Sequence, residues 1–174
     1  PKPNWPDLKI GKGLGNGAGS IIYRVVSNKD GKMYGCKHVT RTSIEHIDQA
    51  RQNATRAADV IKQKLERSVY QSYFDQVKNE YGVLKDFQQA GGSPHVVTVY
   101  DLRTVRKGLR VHGYDMLMDY VEGFGLKEKS DYGMRKLLDL FRQTAQGLLE
   151  IHQFGLIHAD MKPSHVMVDP NGLV

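Results

Sequence analysis

From Lys37 to Tyr81 the chain has no glycine and no proline, and apolar residues recur at Ile47, Ala54, Ala58, Ile61, Leu65, Val69, Tyr73 and Val77. Spacings of three and four put these side chains on one helical face, so the stretch predicts one long helix or two consecutive ones. Thr42 to Glu45 matches the capping box, in which a hydroxyl and a carboxylate satisfy the free N–H groups of a first turn, so the helix is expected to begin near Ser43. Gly91-Gly92-Ser93-Pro94 ends it. Strand-like runs lie on both sides, and the fold class expected is α+β.

Before the helix, Leu8 and Ile10 alternate with polar residues into a glycine-dense stretch, and Ile21 to Val26 resume a β-branched run, which reads as strand, loop, strand. Asn28-Lys29-Asp30-Gly31 supplies a turn, and Met33 to Val39 reads as a third strand. After the helix, Val96 to Val105 and Val111 to Val121, split at Lys107-Gly108, complete a five-stranded antiparallel sheet. Met134 to Gln153 carries Leu137, Phe141, Ala145, Leu148 and His152 on one helical face, and Gly155 is placed to stop that helix in the left-handed conformation. Val166 to Val168, Asn171-Gly172 and Leu173-Val174 predict a short hairpin whose second strand is cut off.

A chain of 174 residues forms one domain or two small lobes. The single Cys36 excludes an internal disulfide framework, no apolar run reaches membrane-spanning length, and no secretory signal opens the chain. A soluble protein of a reducing, cytoplasmic compartment is expected, without a membrane partner. The formal charge of +6 favours phosphates, acidic peptides or nucleic acid without choosing among them. A solvated basic surface accounts for it, and with no binding motif among the dispersed basic residues no nucleic-acid partner is expected.

Gly11, Gly13, Gly15, Gly17 and Gly19 crowd the first turn, and only glycine lets backbone N–H groups approach phosphate oxygens without a Cβ clash. A Walker A loop is rejected because Gly11-Lys12 is followed by Gly13 rather than Ser or Thr. A dinucleotide fingerprint is rejected because Ile21 to Val26 is β-branched rather than helical. By itself such a hairpin is as well explained by a flexible surface turn. Residues 157 to 165 read I-H-A-D-M-K-P-S-H, and no routine packing requirement asks for an acid, a lysine and a proline at that spacing. An isolated His-x-Asp-x-Lys is more often a solvated loop, but here several such segments follow in order.

Taken in that order, the segments resemble the eukaryotic-like serine/threonine protein kinase family. The resemblance implies a protein-kinase-like fold: a five-stranded antiparallel N-lobe sheet, a long αC-type helix and an incomplete helical C-lobe. It puts Gly15 and Gly17 at the first two glycines of a lid over ATP, Ser20 at the third, and Ile22 at the residue covering adenine. Tyr34-Gly35-Cys36-Lys37-His38-Val39 resembles the V-A-I-K strand, whose lysine pairs with the α- and β-phosphates. Glu80 precedes Ser93-Pro94-His95-Val96-Val97, which looks like the family's H-P-N-I-V segment, so an ion pair Lys37–Glu80 is expected. Met116 to Gly123 resembles the hinge, with Met118 as the gate residue and Asp119 and Val121 offering backbone groups to adenine.

In the loop at 157–165, Asp160 fills the position of the catalytic base, Lys162 that of the γ-phosphate partner, and His165 stands where an asparagine holds a metal. Imidazole suits softer ions than Mg²⁺, the cofactor implied beside ATP. Ala159 replaces the arginine that grips a phosphorylated activation loop in regulated relatives, and Met161-Lys162-Pro163 favours serine or threonine over tyrosine substrates.

The domain reading places a kinase-like N-lobe at 1–121 and a partial C-lobe at 122–174. The separation of Lys37 from Glu80 exceeds the family's, so a helical insertion is placed at about 40–76, adding roughly 30 Å of rod. A docking surface for a partner or second copy is one expectation for it. Self-association is another, through the inserted helix, the exposed C-lobe helix, or exchanged segments. The chain stops before the segment in which the family's D-F-G aspartate binds metal, so these residues alone are expected to transfer phosphate to a protein substrate slowly or not at all. The alternative is a pseudokinase or scaffold that uses the inserted helix for protein interaction, for which Ser20 and His165 both speak.

Overall fold

The computed structural model describes residues 2–3, 5–17, 19–45, 59–126 and 132–174. They cluster into two compact units, one of Pro1–Leu84 and Val99–Asp119, the other of Lys85–Thr98 and Tyr120–Val174.

The first unit is built on an antiparallel sheet of β1 (Leu8–Gly17), β2 (Ser20–Ser27), β3 (Met33–Thr40), β4 (Val99–Lys107) and β5 (Arg110–Asp119), in the order β1-β2-β3-β5-β4. The last hairpin therefore enters through its second strand, leaving β4 at the edge. The glycine-dense stretch, read above as a loop, is part of β1, which pairs through to Gly17↔Ser20. Glycine without a side chain to pack does not forbid pairing; it makes it irregular, with register shifts between Ile10 and Gly13 and between Gly13 and Gly15. β4 starts at Val99 rather than Val96 because Ser93 holds a turn: its hydroxyl accepts from His95 N at 3.0 Å and its carbonyl from Val96 N at 3.3 Å.

Strand alternation gives the sheet two apolar faces, and both are covered. Val39, Val99 and Met116 form one core with Ile44, Phe74 and Val77, the last two from the long helix α1 (Asp59–Gln89). On the other face Tyr23, Val25, Cys36 and Leu117 pack with Trp5, whose ring lies 4.1 Å from the Arg103 guanidinium carbon. The residues ahead of β1 thus roof the sheet.

Residues 41–45 are helical, beginning two residues earlier than the capping box at Thr42 implies. Thr40 caps this turn: its Oγ1 accepts from Ser43 N at 3.3 Å while Ser43 Oγ accepts from Thr40 N at 2.8 Å. Thr42 is instead engaged with His112 Nε2 at 3.2 Å. The reciprocal pair forms where β3 ends, and serine serves as the returning partner in place of glutamate. Ile47, Ala54 and Ala58, and with them the choice between one helix and two, lie outside the described residues.

The second unit contains α2 (Met134–Gln153), a 3₁₀ turn at Pro163–His165, and a two-stranded sheet of β6 (Phe124–Gly125) and β7 (Met167–Val168). β7 therefore pairs backwards with β6 rather than forwards across Asn171-Gly172 as the hairpin reading required. That turn closes on a side chain, with Asp169 Oδ1 accepting from Leu173 N at 2.7 Å and Asp169 N donating to Leu173 O at 2.9 Å. Gly155 ends α2 at φ +85°, with its N–H on His152 O and that of Leu156 on Ile151 O.

The face of α2 that is buried also differs from the expected stripe. Leu140, Gln143 and Gly147 are buried, whereas Phe141, Ala145 and His152 are exposed. Polar and steric partners set this choice. Gln143 donates to Gly172 O at 3.0 Å and accepts from Val174 N at 2.9 Å, and Gly147 lets His95 approach so closely that a Cβ there would stand 2.9 Å from His95 Cβ.

Candidate functional site

Register across the first sheet brings several of the singled-out residues into rows. Gly15 pairs with Ile22, Ile22 with Lys37, and Lys37 with Met116, so a glycine, an apolar side chain and a cation lie side by side on three neighbouring strands. Two residues along, Gly35 pairs with Met118 and Tyr34 with Asp119. Gly17 and Ser20 close the β1–β2 hairpin, with Ser20 buried.

Lys37 points to the helix side of the sheet, where its Nζ lies 2.7 Å from Oε1 and 2.5 Å from Oε2 of Glu80. Glu80 stands two helical turns after Tyr73 on the face of α1 that also buries Phe74 and Val77, so sheet packing fixes where its carboxylate goes. Both side chains are half-buried. The pair leaves an ammonium with N–H capacity to spare, since a lysine has three donors.

At the end of β5, the Asp119 carboxylate accepts from Tyr100 Oη at 2.6 Å. Burial, together with Asp119, pushes the Tyr100 hydroxyl above its ordinary value, so it stays a donor at neutral pH. The Lys32 ammonium sits 5.1 Å from the ring centroids of both Tyr34 and Tyr100. This outer-face cluster engages the side chain of Asp119. Gly35 was not singled out from sequence, yet a Cβ there would stand 3.0 Å from Asp119 O and 3.3 Å from Met118 Cγ. Glycine there lets the end of β5 pack closely against β3.

Val121, Asp160, Lys162 and His165 belong to the second unit. Val121 follows the end of β5 and is half-buried. Asp160, Lys162 and His165 cluster in the loop between α2 and β7. Lys162 Nζ donates to Asp160 Oδ2 at 2.9 Å, His165 Nδ1 lies 4.0 Å from the same oxygen, and the His158 and His165 rings are 5.9 Å apart. The hydrogen bond from Lys162 comes first, and the charges of Lys162, His165 and His158 add to it, in holding the Asp160 carboxyl below the usual aspartate range. Ala159 is held at φ +60°, a left-handed conformation that L-residues with a Cβ seldom adopt, and it swings the loop so that Asp160 N meets His158 O at 2.8 Å.

The donor set does not suit Mg²⁺ at His165. That ion prefers hard oxygen ligands, and here an imidazole stands beside a carboxylate already engaged by Lys162. Among the described residues no group of three or more His, Cys, Asp or Glu side chains is placed to hold a metal ion. Among them, too, no helix is long and apolar enough to cross a membrane.

A family model described as "Protein kinase domain" matches residues 8–174. The protein named Serine/threonine-protein kinases drp72 of Corynebacterium efficiens is 33% identical over 86 residues, covering 47% of this chain and 16% of that protein. The Serine/threonine-protein kinases PknA of Corynebacterium glutamicum is 29% identical over 108 residues, 60% of this chain and 22% of that protein. The chain thus spans less than a quarter of the length of these curated relatives. Among solved structures, Rad53 1-466 in complex with AMP-PNP superposes with a TM-score of 0.68 at 20% identity, covering 96% of this chain and 37% of that one, a likeness of fold. Because the family match takes in all but the first seven residues, this chain belongs to the protein kinase domain family, with serine/threonine kinases among its relatives.

Proposed function

We propose that this chain is the ATP-binding portion of a serine/threonine protein kinase, transferring the γ-phosphate of ATP to a protein hydroxyl. The observation that carries the reading is the Lys37–Glu80 pair, a cation held at a fixed height above the sheet beside Ile22 and Gly15. In this reading the backbone N–H groups of Gly15, Gly17 and Ser20 and the Lys37 ammonium receive the phosphates. Ile22 covers adenine, Met118 gates the space behind it, and the backbone of Asp119 and Val121 bonds its edge. Residues 1–121 act as the nucleotide lobe and 122–174 as the opening of the catalytic lobe, although Lys85–Thr98 clusters with the latter.

Asp160 takes the proton of the attacking hydroxyl, and Lys162 offsets charge on the transferred phosphoryl group. The Asp160 carboxyl is ionised at neutral pH and so can accept a proton, and the Lys162 hydrogen bond that lowers it makes it a weaker base than a free aspartate. Mg²⁺ would supply further charge neutralisation when bound, but His165 is a poor ligand for it, and no step is assigned to the ion. ATP as donor and a protein as acceptor are compatible with the cytoplasmic location of this reading.

The test is transfer of labelled γ-phosphate by the whole protein to serine or threonine of an acceptor protein. Asp160→Asn is expected to lower the rate about 100-fold or more, the low end of a general-base contribution. Equal rates for the two would remove the mechanism. ATP binding with no transfer by the whole protein would favour the alternative, a pseudokinase module.

A further inference from the structure

Gly19 lies in the turn between β1 and β2, and it is buried rather than free in solvent. Its φ of +71° and its surroundings both demand glycine, because a Cβ there would stand 2.6 Å and 2.7 Å from Cδ1 and Cε1 of the Tyr73 ring. From the other side Ser43, wholly buried, brings its hydroxyl 3.0 Å from Gly19 O and 2.8 Å from Thr40 O. The same hydroxyl accepts from Thr40 N, so its position is fixed by the cap that ends β3. Gly15, by contrast, has no atom within 4 Å of where a Cβ would stand. One end of the glycine-rich hairpin is therefore seated and its middle is open.

The ring half of the seat belongs to α1. Tyr73 precedes Glu80 by seven residues, two helical turns on the same face, with Phe74 and Val77 buried in the core between them. A rigid shift of that helix that parts Glu80 from Lys37 would therefore also move Tyr73 relative to Gly19.

We propose that Tyr73 of the Glu80 helix and Ser43 of the helical turn after β3 are positioning residues that seat the glycine-rich turn and so fix the backbone N–H groups that receive the nucleotide's phosphates. This rests on the ATP reading above. It links the lid to the Lys37–Glu80 pair, because Tyr73 and Glu80 are borne by the same helix. It also gives Gly19 a role different from that of Gly15 and Gly17: the former meets the helix, the latter two the ligand.

The discriminating measurement compares ATP with adenosine, which shares the base and sugar and lacks the phosphates. Ser43→Ala and Tyr73→Leu are expected to weaken ATP about three- to ten-fold, the factor that loss of one buried hydrogen bond or ring contact carries, and to leave adenosine within about two-fold. Tyr73→Phe, which keeps the ring, restores wild-type ATP affinity. Equal weakening of ATP and adenosine, or of neither, overturns the proposal. A nuclear Overhauser contact between the Gly19 α-protons and the Tyr73 ring in the unaltered chain is required independently of any variant's folding, and its absence overturns the proposal alone. Failure of the unaltered chain to bind ATP while that contact is present would instead sink the nucleotide reading, and with it the role assigned here.

Discussion

Asp160 is exposed to solvent yet carries three basic neighbours, so its titration tests the loop at 157–165 one residue at a time. The Lys162 hydrogen bond, followed by the charges of Lys162, His165 and His158, keeps its folded value below the unfolded one. Whatever stability is linked to that charge is present at neutral pH and is lost as pH falls through the depressed folded value. Lys162→Met should move the Asp160 midpoint up towards the ordinary aspartate range, read from its carboxyl carbon by NMR titration. A midpoint that stays where it was would show that the contact with Lys162 does not persist in solution. The hydrogen bond between Lys162 and Asp160 was not foreseen from sequence, where the two residues carried separate expected roles. Lys37 and Glu80 were legible because a strand lysine and a helix acid could be matched in order, despite the unusual length between them. Gly19 and Gly35 were not, since what forbids a side chain there is a ring or a carbonyl from a remote segment.

Among elements, the sheet's outer face makes the sharpest claim. Cys36 is wholly buried on it, under Trp5, Tyr23 and Leu117. Burial, reinforced by the charge of Asp115, pushes its thiol far above the usual range. Only a thiolate reacts, so maleimide labelling of the folded protein at neutral pH should proceed no faster than unfolding. Trp5→Ala removes the roof, costs about 3–5 kcal/mol, and should speed labelling markedly. Labelling of the unaltered chain that is already fast would show that residues ahead of β1 do not cover the sheet. α2 was legible to both bounds because a periodic run ends in a glycine that adopts the left-handed stop. β1 was misread at its glycines, and β7 at its partner, for a shared reason. Backbone pairing leaves little trace in side-chain type when the residues are glycines or the strand is two residues long.

At the scale of the whole molecule, a basic chain of net charge +6 holds one particular cation, Lys37, on the helix side of its sheet and anchors it with one acid, and the proposed reading puts the triphosphate against it. The fold class and the family were legible, because five motifs keep their order along the chain. The roof over the sheet and the seat under the glycine-rich turn were not, because both join segments distant in sequence. The most direct test is calorimetric titration of the chain with ATP beside its Lys37→Met and Glu80→Gln forms. A charge-assisted contact contributes about 1.5–3 kcal/mol, so Lys37→Met is predicted to weaken ATP at least about ten-fold, with Glu80→Gln intermediate between it and the unaltered chain. ATP affinity unchanged in Lys37→Met would contradict the account, whatever the motifs suggest.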